Sequence, residues 1–118
     1  MRHWMVAIAL AALTLVAPSA HTHSVLESSS PASGSVVERS PEQIGLSFHE
    51  PTMLTYLAVV STSGERRLTF APVGVAEAFT ASTPELIPGR NELQWRALSK
   101  DGHVVEGSII IVVKPPAP

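Results

Sequence analysis

The chain has 118 residues, 45% of them hydrophobic and 15% charged, which suits one domain with a core of its own. Its formal charge is −2 with neutral histidines. Without Arg2, the only charged residue of the first 22, 7 basic residues stand against 10 acidic ones, or −3. The lack of a basic stripe excludes electrostatic binding to nucleic acid, and the lack of cysteine excludes disulfides and thiolate metal chemistry.

Residues 1–22 read as a signal peptide. Arg2 gives a positive start, Met5 to Val16 is an apolar run, and small residues follow at Ala17, Ser19 and Ala20. The run is shorter than the ~20 apolar residues that span a bilayer and ends at Pro18, so a cleaved leader is expected rather than an anchor. The processed chain is then soluble and lies in the periplasm or outside the cell. The cleavage point stays open between residues 19 and 23. A cut after Thr22 makes His23 the first residue, and a cut after Ala20 makes it His21.

The rest reads as strands divided by turns. Val25 to Ser28 is a short strand, closed by Ser29-Ser30-Pro31, and Pro31-Ala32-Ser33-Gly34 is turn chemistry. Val36 and Val37 restart an extended piece, and Ser40-Pro41-Glu42 turns again. Ile44, Leu46 and Phe48 alternate with Gly45, Ser47 and His49, a period of two that puts His49 on an outer, solvent-facing side. Leu54 to Thr62 is a further strand. Ser63-Gly64-Glu65 then turns into Arg67 to Phe70.

Ala71 to Ala78 leaves room for a helical turn, and Ala78 to Ser82 is short and extended. Leu86 to Asn91 is a turn before Glu92 to Leu98, where Leu93, Trp95 and Ala97 face one way. Ser99 to His103 is a loop, and Val104 to Val113 is the last strand. The frayed end, Pro115 to Pro118, cannot extend a ladder. About seven strands without sustained helical periodicity predict an all-β sandwich or small barrel.

Four histidines follow the apolar run: His21, His23, His49 and His103. Asp101-Gly102-His103 offers a carboxylate and an imidazole two residues apart. A histidine made N-terminal by cleavage adds an α-amine, with a pKa near ~7.7–8, and its own ring. Such a nitrogen and oxygen set suits Cu(II) among the divalent first-row metals. Beyond the apolar run Met53 is the only methionine, which leaves no soft set for Cu(I). A histidine in third place, as in His21-Thr22-His23, would instead bind Cu(II) locally, with the amine and backbone amides.

Three blocks resemble the copper-resistance CopC family of periplasmic copper carriers. The first is His23-Ser24-Val25-Leu26 with Ser29-Ser30-Pro31-Ala32-Ser33-Gly34. The second is Leu46-Ser47-Phe48-His49-Glu50-Pro51. The third, the longest, runs Trp95-Arg96-Ala97-Leu98-Ser99-Lys100-Asp101-Gly102-His103-Val104-Val105-Glu106-Gly107.

The resemblance covers nearly all of residues 23–114. It implies an immunoglobulin-like or cupredoxin-like Greek-key barrel and one Cu(II) bound by His23, Asp101 and His103. Glu50 would stand close to the copper, orienting a ligand or tuning charge. It further implies a non-enzymatic carrier, expected as a monomer, that buffers copper or hands it to a membrane copper transporter of the CopD type.

Two other classes compete. One is a small copper oxygenase with an N-terminal histidine brace, against which stand an aromatic share of 5% and the carboxylate of Asp101. The other is an immunoglobulin-like interaction module with incidental histidines.

Overall fold

The computed structural model describes residues 25–117. Seven strands form one curled sheet: β1 (Leu26–Ser30), β2 (Ser35–Val37), β3 (Gln43–Ser61), β4 (Gly64–Arg67), β5 (Val75–Ser82), β6 (Gly89–Leu98) and β7 (Val104–Val113). The main path runs β1-β3-β6-β7-β2, with β4 and β5 also paired to β3. All pairings are antiparallel except β2 on β7, which is parallel. The leader expected at 1–22, and with it His21 and His23, lies outside the described residues.

β3 organises the sheet. Two strands were expected here; the structure has one of 19 residues, Glu50 and Pro51 included. Its first half pairs with β1 and β5, and its second half with β6 and β4. Pro51 is tolerated because the ladder is interrupted there. The β5 register passes from Ser47↔Ala78 to Thr52↔Ala76, so β3 carries extra residues opposite Glu77. Thr52, 2% exposed, donates its hydroxyl to the Glu50 carbonyl at 2.8 Å and so ties the bend. A second irregularity, between Leu54 and Tyr56 against β6, shifts the inward phase from Ile44, Leu46, Phe48 and Leu54 to Leu57 and Val59.

The core follows that phase. Phe48 meets Phe79 and Trp95 edge-to-face, with centroids 5.8 and 5.4 Å apart, and Leu93, Ala97, Ile109 and Ile111 are buried around them. Trp95 lies over Gly107, its partner on β7. A Cβ on Gly107 would come within 2.7 Å of the indole Cζ2. On the outer face Tyr56 sits between the guanidinium groups of Arg67 and Arg96, each 4.5 Å from its ring centroid, and Arg96 pairs with Glu106 at 3.5 Å.

Several boundaries differ from expectation. No helical turn forms over Ala71 to Ala78, because Ala71 bridges to Thr80 and β5 already begins at Val75. β4 starts at Gly64, whose φ of +106° lets it close the tight turn. β6 starts at Gly89 rather than Glu92. The buried Asn91 holds that entry: its Nδ2 donates to the Ile87 carbonyl at 2.8 Å, and its Oδ1 accepts from the Ile87 amide at 3.1 Å.

Candidate metal centre

β6 and β7 form a long hairpin whose loop is Ser99 to His103. The loop closes on itself. The Ser99 amide donates to the His103 carbonyl at 2.8 Å, and the Gly102 amide donates to the Ser99 carbonyl at 3.0 Å. Gly102 follows this turn at φ +86°, where a glycine carries no steric cost.

The tight loop turns Asp101 and His103 towards each other. His103 Nδ1 stands 2.8 Å from Asp101 Oδ2. The Ser99 hydroxyl donates to Asp101 Oδ1 and accepts the His103 amide at 3.2 Å. The Ser99 bond, then the His103 ring, hold the Asp101 carboxyl below the usual aspartate range. An anionic Asp101 makes Nδ1–H the donor, which leaves Nε2 as the ring's open nitrogen.

Asp101, His103 and Ser99 line a cleft of about 560 Å³ together with Val25, Glu50, Lys100 and Val105. Three separate segments meet here. The hairpin supplies its loop, the interruption in β3 supplies Glu50, and the start of the described chain supplies Val25. The His49 amide donates to the Val25 carbonyl at 2.9 Å, which fixes that start beside the bend.

Three of the expected site residues can therefore be placed. Asp101 and His103 touch, and Glu50 shares their cleft. His23 lies outside the described residues. Among those described, no group of three His, Asp or Glu side chains is close enough to hold a metal ion. His49 faces outward as expected, 4.0 Å from Glu27. The residue that sequence reasoning passed over is Ser99. A hydroxyl two positions before an aspartate, in a loop, is the available signal, since such side chains bond to neighbouring polar groups.

A model of the CopC domain matches residues 26–114. Among solved structures, CopC from Methylosinus trichosporium OB3b superposes with a TM-score of 0.65 at 26% identity, covering 79% of this chain and 95% of that one. The copper resistance protein PcoC from Escherichia coli superposes with a TM-score of 0.58 at 27% identity, covering 75% and 98%. A second PcoC structure, described as methionine-rich, gives 0.56 at 29% identity, covering 75% and 96%. A search of curated proteins returns no match. The fold is thus the cupredoxin-like Greek-key barrel that the resemblance implies. With the family model spanning β1 to the end of β7, the chain belongs to the CopC family.

Proposed function

We propose that this chain is exported, binds one Cu(II) ion and buffers or delivers it in copper homeostasis, without catalysing a reaction. The ligands are His23, through its amine and ring, with Asp101 and His103, and Glu50 stands beside them. The observation that carries this reading is the position of Val25, which lines the same cleft as Asp101, His103 and Glu50. Two residues upstream, His23 is at most ~7 Å of chain from Val25, so its donors can reach the pair.

The donor chemistry agrees. One carboxylate, one imidazole and an amine-imidazole chelate are nitrogen and oxygen ligands, which favour Cu(II) over softer ions. The relative PcoC is called methionine-rich, whereas Met53 is the only methionine here after residue 5. That difference supports a Cu(II) carrier without a separate Cu(I) site. The receiver we propose is a membrane copper transporter of the CopD type, and the carrier works as a monomer in the periplasm or outside the cell.

The test joins intact mass and N-terminal sequencing of the secreted protein to a Cu(II) titration of the same material. A chain beginning at His23 that binds one Cu(II) tightly agrees with the proposal. A chain beginning at His21, with affinity unaffected by loss of Asp101 and His103, contradicts it in favour of a local amino-terminal site.

A further inference from the structure

Ser99 opens the hairpin loop, and the proposed function gives it no part. Its hydroxyl makes two contacts at once. It donates to Asp101 Oδ1 and accepts the His103 backbone amide at 3.2 Å. One oxygen thereby links the two side-chain ligands proposed above, one through its carboxylate and the other through its main chain. The remaining carboxylate oxygen, Oδ2, faces His103 Nδ1 at 2.8 Å.

Asp101 and His103 are both exposed, with side-chain exposures of 68% and 79%. Packing therefore does not hold their rotamers. Hydrogen bonds have to do so, and an exposed carboxylate with free rotation would meet a metal ion in many orientations. Ordering it before the ion arrives lowers the entropy lost on binding.

We infer that Ser99 is a positioning residue, which tethers the Asp101 carboxylate through Oδ1 and the His103 main chain to one hydroxyl, so that both stay at the loop tip when the Oδ2–Nδ1 contact opens to Cu(II). The inference rests on the proposed copper site. It adds a residue that makes no bond to the ion itself. Partners of this kind, one bond removed from a metal ligand, typically change affinity by ~10–100-fold when removed.

The backbone closure of the loop is independent of the hydroxyl. The Ser99 amide to His103 carbonyl bond and the Gly102 amide to Ser99 carbonyl bond survive in Ser99→Ala. Neighbouring pairs such as Leu98↔Val104 hold the hairpin on the strand side. Ser99→Ala should thus fold and melt like the parent. Ser99→Thr keeps the oxygen and should keep the function.

The test is Cu(II) affinity by chelator competition, with the electron paramagnetic resonance spectrum, on the exported and processed protein. The proteins compared are the parent, Ser99→Ala, Ser99→Thr, Asp101→Ala and His103→Ala. We expect Ser99→Ala to lose roughly 10-fold or more in affinity and to show a changed or heterogeneous Cu(II) spectrum, with Ser99→Thr restoring both. Unchanged affinity and spectrum in Ser99→Ala, while Asp101→Ala and His103→Ala weaken, would overturn the role of Ser99 and leave the site standing. Equal loss in Ser99→Ala and Ser99→Thr would overturn it too, since the oxygen would then not be what matters. Unchanged binding in all four variants would overturn the site itself.

Discussion

Asp101 Oδ2 and His103 Nδ1 stand 2.8 Å apart at the tip of the β6–β7 hairpin. With Nδ1 engaged, His103 offers Nε2 outward, while Asp101 divides its two oxygens between the imidazole and Ser99. The pair is ordered by its own loop rather than by burial. An ion bound at Nε2 stands across the imidazole from Asp101 Oδ2, so binding one ion through both side chains requires the Oδ2–Nδ1 contact to open.

Removing either donor is the first consequence. Asp101→Ala and His103→Ala should each lower Cu(II) affinity by roughly 100-fold, about 2.8 kcal/mol. Both side chains are exposed, so the melting temperature of the copper-free protein should change little. Chelator competition and thermal melts on the same preparations check both halves.

The amino terminus is the second. On the proposed start at His23, one extra residue ahead of it would move the α-amine away from the ring and break the chelate. Cu(II) affinity should then fall at least as far as in His103→Ala, with no change in fold by circular dichroism. Affinity equal to the parent's would mean that the amine takes no part.

Acid titration is the third. The hydroxyl of Ser99 and the ring of His103 depress the Asp101 carboxyl. For a depressed acid, the stabilisation is present above the unfolded-state value and is lost as pH falls through the lower folded one. Asp101 should thus stay ionised below the pH at which an ordinary aspartate protonates. Its carboxyl carbon shift, followed by NMR in copper-free protein, should have a midpoint below the ordinary value and move upward in Ser99→Ala. A midpoint at or above the ordinary value would contradict the hydrogen bonds described.

The scaffold supplies the fourth. Gly107→Ala places a Cβ within 2.7 Å of the Trp95 ring, which is 3% exposed and packed on Phe48. The indole is rigid, and its edge-to-face packing on Phe48 limits how far it can move. The cost should be about 1–3 kcal/mol, or a melting temperature lower by roughly 4–8 °C for each of them.

Much of this architecture was legible from patterning. The alternation through Leu93, Trp95 and Ala97 predicts their burial at 0, 3 and 1% exposure, and Val104 to Val113 is β7 to the residue. The two strands expected, one through Ile44, Leu46 and Phe48 and one over Leu54 to Thr62, are a single strand. In the structure the register slips from Ser47 to Thr52, and one strand passes through. Gly89 was read as part of a turn, since nothing local announces that Asn91 will tie the approach to the strand. Parallel pairing of β2 on β7 joins residues more than 70 apart in sequence, beyond the reach of any local signal.

The candidate site divides the same way. Asp101-Gly102-His103 is visible as a triplet, and its tight turn follows from Gly102. That Glu50 and Val25 reach the same cleft depends on the bend in β3 and on the His49 to Val25 bond, both tertiary. Residue types alone pointed to Asp101 and His103 as a weak pair. The fold brings a third segment to them.

The measurement that bears most directly on the central claim is electron spin echo modulation of the exported protein carrying one equivalent of Cu(II), beside His103→Ala. We predict remote-nitrogen signals from two imidazoles in the parent and from one in the variant. A pattern that His103→Ala leaves untouched would place the copper away from the hairpin loop and contradict the site.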